Sequence, residues 1–258
     1  MHNFVFGIFP YIALTIMILG SIARYERDPF TWKTKSSQML RTRQFVIGSV
    51  LFHVGVLAIF AGHVVGLLTP KELWYAFGIS SGTKQMIAIV AGGAAGIAAL
   101  AGGAILLHRR LTDPRIKANS SFGDNAVMII LIVQLVLGLA TIPLALGHLD
   151  GSEMLKFMAW AQGILSFKAG SAGYISDVHP IFKLHIFLGL VIFVMVPFTR
   201  LAHVISGVAV PFRYLLGRTG YQIVRSRRGV RAAPKDVAPV RATRQPVAAR
   251  SVASAPAE

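Results

Sequence analysis

The chain alternates long apolar blocks with short polar ones. Windows at 4–23, 45–68, 85–107, 125–149 and 183–207 are each long enough for a helix to cross a bilayer core, which takes about 20 residues. The fifth is the least clean, with Arg200 inside it. None alternates with period two, so helices rather than barrel strands are predicted. The expected fold is all-α: a polytopic five-helix membrane bundle over 1–210, followed by a basic tail over 211–258. The first block has no basic residue ahead of it and no small-residue cleavage site behind it, so it reads as a retained helix rather than a signal peptide. Pro211 interrupts the fifth block, and a basic amphipathic stretch follows at 214–225. Beyond about 228 the Ala, Pro, Val and Arg composition predicts disorder. Between the fourth and fifth blocks, SEMLKFMAWAQGILSF (152–167) has apolar residues at helical spacing around Trp160, which predicts a short interfacial helix. Glycines in AGGAAGIAALAGGA (91–104) predict a close helix–helix contact in the third span.

Composition agrees with the pattern. Of 258 residues 54% are hydrophobic and 14% charged, where a soluble domain carries about 25% charged residues. The net charge of +16 is unevenly placed. Segment 24–44 holds six basic residues, 109–117 four and the chain from Arg213 onward ten, against two each in 69–84 and 150–179. Basic residues therefore fall on alternate sides, which by the positive-inside rule puts the N-terminus outside and the C-terminus in the cytoplasm. The charge is a topology signal, and nothing else in the chain favours nucleic acid. The absence of cysteine excludes disulfides, thiolate iron–sulfur ligation and covalent haem attachment.

Candidate chemistry comes from the histidines. His2, His108, His148 and His179 fall at ends or in loops and read as solvated or interfacial. The other four lie within two spans: His53 and His63 in the second, His185 and His203 in the fifth. Ionisable groups at membrane depth are costly and tend to be functional. The second and fifth spans run antiparallel, so His53 meets His203 toward the cytoplasmic side and His63 meets His185 toward the outer side. Two cross-helix imidazole pairs are one way to hold two b-type haems between bundle helices. Paired histidines without a carboxylate or thiolate make a poor zinc or di-iron set. Spacing is the difficulty: ten residues rise about 15 Å and eighteen about 27 Å on straight helices. Gly62, Gly66, Gly189 and Gly207 lie near the histidines and would leave room for a flat macrocycle. Arg200, Arg109 and Arg110 could meet haem propionates or simply snorkel. Lys84 opens the third span on the side of His63 and His185, either as an interfacial lysine or as a donor to a quinone carbonyl.

The segments RY (24–25), SSQML (36–40), FHVGVLAIFAGHVVGLLTP (52–70), AGGAAG (91–96), RRL (109–111), DGSEM (150–154), WAQ (160–162), KLH (183–185) and PFTRLAH (197–203) together resemble the gamma, cytochrome b subunit of bacterial membrane-bound respiratory nitrate reductases. The likeness runs in order from Pro10 to about Val224, and the basic extension beyond it carries no transferable role. It implies a diheme subunit of an oxidoreductase in the bacterial cytoplasmic (inner) membrane. The inner haem b would be ligated by His53 and His203, and the outer haem b by His63 and His185. Quinol would be oxidised near the outer haem with Lys84 at the site, and protons would be released outside. Electrons would leave for a cytoplasmic iron–sulfur beta subunit and then a molybdenum-containing alpha subunit, where nitrate is reduced. A diheme subunit of another quinone-linked complex is the alternative of similar chemistry. A haem-free scaffold or transporter is the alternative of another class.

Overall fold

The computed structural model describes residues 1–27, 40, 42–118 and 120–205, apart from the side chains of 25 and 26. Residues 36–39 of the SSQML segment, Gly207 and the whole of the basic tail lie outside the described residues. All regular structure among those described is helical: α1 (Phe9–Arg27), α2 (Thr42–Leu68), α3 (Lys71–Ala76), α4 (Ser81–Thr112), α5 (Pro114–Ala118), α6 (Phe122–Leu146), α7 (Ser152–Leu165) and α8 (Pro180–Met195). Among the described residues five segments are long and apolar enough to cross a membrane: Phe4–Arg24, Thr42–Leu68, Ser81–Thr112, Phe122–Leu146 and Pro180–Phe198. Their outward faces are apolar, as a lipid solvent requires; Val54 and Leu57 on α2 are both more than 60% exposed.

Close packing runs α2–α4–α6–α8–α1. The tightest seam, α2 on α4, is made by glycines. A Cβ on Gly55 would come within 2.6 Å of the Ala95 carbonyl oxygen, and one on Gly102 within 2.7 Å of the Gly48 carbonyl oxygen. Gly96 packs likewise on Leu139 of α6. The small-residue stretch therefore makes the contact it predicted, with backbones close enough for dispersion to act along the whole seam.

Prolines shape both outer ends of the bundle. Pro10 is fully buried and has no N–H for the carbonyl of Phe6, and the chain takes a π-helical turn over Phe4–Ile8. The Trp160 indole N–H donates to the Phe6 carbonyl instead, at 2.8 Å. That bond ties α7 to the start of the first span, in a core of Phe6, Trp160, Ile164, Ala172, Ile175 and Val178. The predicted interfacial helix is thus present as α7, and it caps the bundle.

At the other end, α8 does not continue to His203 as one helix. It stops at Met195, passes through a 3₁₀ turn at Val196–Phe198, and reaches an extended Thr199 with φ −124° and ψ −175°. Pro197 supplies no N–H there. The carbonyls of Pro197 and Thr199 are met by the Arg24 guanidinium at 2.8 and 2.7 Å. Gly20 lets α1 approach, since a Cβ there would lie 2.8 Å from Pro197 Cγ.

Side-chain ties define two ends. The termini of α2 and α4 that carry Gly66 and Lys84 share one end with α7 and the start of α8. Arg24, Arg109, Asp124 and Arg200 share the other.

Candidate functional site

Helices α2 and α8 are not a close-packed pair; the imidazoles of α2 meet His185 of α8 and His203 of the segment beyond it across the interval. The His53 and His203 rings are 6.3 Å apart between centroids, and the His63 and His185 rings 6.1 Å. All four histidines are therefore brought together in the two pairs expected, one toward each end. Ligation by two imidazoles at a metal–nitrogen distance of about 2 Å, common for histidine ligands, would separate the centroids by roughly 6.3 Å. The interplanar angles of 63° and 39° are compatible with rotation of the rings about a shared metal axis.

The second nitrogens fit the same chemistry. His53 Nδ1 donates to the Ser49 carbonyl at 2.8 Å, His63 Nδ1 to the Ile59 carbonyl at 2.8 Å, and His203 Nδ1 to the Arg200 carbonyl at 2.6 Å. A carbonyl only accepts, so the proton sits on Nδ1 and Nε2 keeps its lone pair for a metal. Metal-bound histidines are oriented in this way. His185 differs: its Nδ1 is enclosed and has no hydrogen-bond partner. Among the described residues no group of three or more His, Asp or Glu converges on either pair. A donor set of two imidazoles fits a metal whose remaining positions are filled by a macrocycle, so the residues present fit haem.

Glycines beside the pairs divide by role. A Cβ on Gly62 or Gly66, flanking His63, would meet nothing within 4 Å, so that side of α2 is open. Gly189 is not open; a Cβ there would stand 3.3 Å from Gln134 Nε2. Its small size serves packing against α6, contrary to the room for a macrocycle expected of it.

Lys84 is not an exposed interfacial lysine. It is 6% exposed, with Nζ donating to the Gly66 carbonyl at 2.6 Å and to Met158 Sδ at 2.8 Å. The ammonium also lies 4.9 Å from the Trp74 ring centroid. A small cavity borders it, lined by Trp74, Tyr75, Ser81, Met154 and Met158 among others. Gly66 is one turn beyond His63, so Lys84 is joined through a single carbonyl to the helical turn carrying an imidazole of the pair at that end.

The three arginines form the opposite end. Arg200 pairs with the Asp124 carboxylate through Nε and, at 2.6 Å, through Nη2. Arg110 donates to the Asp124 carbonyl at 2.8 Å, and Arg109 to the Leu40 carbonyl at 2.5 Å while lying over the Phe45 ring. Asp124 also accepts from the Ser121 backbone N–H at 2.9 Å, closing a capping box at the start of α6. Asp124 thus joins α6 to the segment carrying His203 through its carboxylate, and to the arginine-bearing end of α4 through its main-chain carbonyl.

Sequence reasoning missed Asp124 and Gln134. The first was visible as a Ser-x-x-Asp start signal, the second as the one polar residue between Asn125 and Thr141. Of the end and loop histidines, His108, His148 and His179 are exposed, and His2 is half-buried. His2 Nε2 donates to the Ala172 carbonyl at 2.8 Å, and His179 caps α8 by accepting from the Ile181 N–H.

A helical bundle with five segments long and apolar enough to cross a membrane among the described residues, and with two pairs of imidazoles facing each other inside it, defines the class: a polytopic membrane protein. The chain belongs to the nitrate reductase gamma subunit family, whose model matches residues 2–227. It is 48% identical over 228 residues to the respiratory nitrate reductase 2 gamma chain of Escherichia coli K12, covering 88% of this chain and 98% of that one. Identity is 42% over 227 residues, again 88% and 98%, to the respiratory nitrate reductase 1 gamma chain of the same organism. It is 40% over 209 residues, 81% and 92%, to the nitrate reductase gamma chain of Bacillus subtilis 168.

Proposed function

We propose that this chain is the quinol-oxidising membrane subunit of a respiratory nitrate reductase, with b-type haem between His53 and His203 and between His63 and His185. The observation that carries the reading is the metal-spanning separation of both imidazole pairs, 6.3 and 6.1 Å between ring centroids. Bound haem would supply one-electron redox chemistry at two depths of a medium that otherwise excludes charge. The residues of the chain do the rest. The four imidazoles fix the two positions. Lys84 holds an ammonium beside the His63 end with two N–H groups engaged by Gly66 and Met158, leaving the third for a quinol oxygen. A cation there favours the oxygen as it loses its proton. Arg109 and Arg110 are the candidates to pair with haem carboxylates at the opposite end, where Arg200 is engaged by Asp124.

The distribution of basic residues supports the Lys84 end facing outward and the arginine end facing the cytoplasm of a bacterial inner membrane. Protons from quinol are then released outside. Electrons are delivered on the inner side to an iron–sulfur beta subunit and on to a molybdenum-containing alpha subunit that reduces nitrate.

The test is haem stoichiometry with a reduced-minus-oxidised spectrum of the purified chain, before and after quinol addition. Two b haems are expected. His63→Ala and His185→Ala should lose the same haem, and His53→Ala and His203→Ala the other. Loss of the same haem by the His63 and His203 variants would overturn the pairing, and a chain without a b-type spectrum the whole reading. Lys84→Ala should keep both haems and reduce them slowly with quinol; unchanged kinetics would remove Lys84 from the site.

A further inference from the structure

Three of the four imidazoles have the same support, an Nδ1–H given to a backbone carbonyl three or four residues back in their own segment. His185 has no such bond within its own helix. The backbone acting on its ring is that of Gln134 on α6. The ring's Nδ1 is enclosed in the bundle and meets no acceptor at hydrogen-bond geometry, in a medium where an unpaired donor is costly. The group beside it is the Gln134 side chain of α6, whose amide nitrogen donates to the backbone carbonyl of His185 itself, at 3.1 Å. The Gln134 amide oxygen is likewise enclosed and without a partner. An orphaned N–H and an orphaned carbonyl oxygen thus belong to two residues already hydrogen-bonded to each other.

The surroundings hold these two side chains together. Gly138, one turn after Gln134, accepts the His185 ring so closely that a Cβ there would lie 3.0 Å from Cε1. Gly189, one turn after His185, is the surface on which the Gln134 amide rests. Glycine on each helix therefore makes the space in which the partner's polar side chain lies. A lone glutamine in an apolar span is expensive to bury unless its hydrogen bonds are used.

We propose that Gln134 is the positioning residue for His185. Its amide oxygen takes the Nδ1 proton when the ring turns Nε2 onto a metal, and so fixes the tautomer and raises the basicity of this ligand. The proposal rests on the reading of His185 as a haem ligand. It makes the two centres unlike in a specific way. The inner pair is supported by main-chain carbonyls on both sides, and the outer pair by one main-chain carbonyl and one side chain. A side-chain support can be changed without moving a helix. An Nδ1 acceptor strengthens donation by the imidazole and stabilises the oxidised metal, so removing it favours the reduced form.

The experiment is a redox titration of the membrane-assembled complex carrying Gln134→Met or Gln134→Glu, each haem followed by its own absorption and low-spin resonance signals. Methionine keeps the length and bulk but offers no acceptor oxygen, and glutamate keeps one. In Gln134→Met the reduced-to-oxidised ratio of the outer haem at fixed potential should rise about tenfold, which is 59 mV for a one-electron couple. The inner haem should not move. In Gln134→Glu the outer haem should titrate at or below its wild-type potential. Loss of the outer haem from Gln134→Met alone, with retention in Gln134→Glu, supports the proposal equally. An unmoved outer haem in Gln134→Met, equal shifts of both haems, a Gln134→Glu potential raised like that of Gln134→Met, or loss of both haems from both variants would overturn it. If the wild-type chain binds no outer haem, the underlying reading has failed, and this is seen before any variant is made.

Discussion

Replacing Asp124 with leucine removes a buried carboxylate that ties the start of α6 to the segment carrying His203. Its side chain is 7% exposed and that of its partner Arg200 29%. Removing one partner of a buried pair costs about 3–5 kcal/mol, because the other charge is left uncompensated. Arg200 is exposed enough to recover part of its hydration, so the lower figure of about 3 kcal/mol applies. Loss of the capping box adds about 1 kcal/mol, giving roughly 4 kcal/mol for Asp124→Leu alone. In an Arg200→Leu background no ion pair is left to break, and leucine at 124 also relieves an unpaired buried carboxylate, so its cost is at most that of the cap, about 1 kcal/mol. The coupling between the two positions is then at least about 3 kcal/mol. Arg110 contacts the main-chain carbonyl of residue 124, and His203 the main-chain carbonyl of residue 200, so both bonds survive the substitutions. Denaturant unfolding of the four proteins in one detergent measures the cycle. A coupling below about 0.5 kcal/mol would mean independent sites and would refute the idea that the ion pair joins α6 to the His203 segment.

Gly102→Val should separate α2 from α4, since even a Cβ would lie 2.9 Å from Phe52 Cα. Overpacking of this kind costs about 1–3 kcal/mol, and thermal unfolding no lower than wild type would count against the seam. Trp160→Phe should cost about 1–3 kcal/mol by orphaning the Phe6 carbonyl, which Pro10 cannot serve. Denaturant midpoints of wild type and variant decide that, a null shift being the contrary result. The exposed pair of Lys156 and Asp177 gives a pH test. The hydrogen bond with Lys156 lowers the Asp177 carboxyl below its usual value, and the same bond raises the Lys156 ammonium. Its stabilisation is present above the unfolded carboxyl pKa of about 4 and lost as pH falls through the lowered folded value. On the alkaline side it is present below the unfolded lysine value of about 10 and lost as pH rises through the raised one. Hydrogen exchange in α7 should show this acid loss in wild type; the same loss in Lys156→Met would exclude the pair as its cause.

The spans and the imidazole pairing were legible because lipid imposes a strong code. Charge-free windows of sufficient length give the spans, and antiparallel order alone pairs His53 with His203 and His63 with His185. Trp160 and the small residues of α4 were legible for the same reason, since each is a local signal. The failures were those of a straight-helix assumption. Ten and eighteen residues disagree by about 12 Å only if both helices are continuous. The chain breaks after Met195, and the cause, Pro197 against Gly20 with Arg24 serving the freed carbonyls, is partly contributed by a helix remote in sequence. The partner of Arg200 was not legible for a similar reason: a lone arginine announces a charge but not Asp124, 76 residues away. Lys84 looked interfacial because α7, which buries it through Met158, folds over it from the far side of α6.

The break after α8 makes the two sides of the paired interval mechanically unequal. Helix α2 is a ruler, with ten residues of continuous helix between its imidazoles, so a deletion within it would displace both pairings together. The opposite side is an arm with a joint, and His203 rides on the short piece beyond. Errors of length and tilt anywhere in the bundle can be absorbed there, at one place, without disturbing His185. The position of the His63–His185 pair is set by the fold of the bundle, whereas the reach from His53 to His203 is adjusted by how α1 grips the joint.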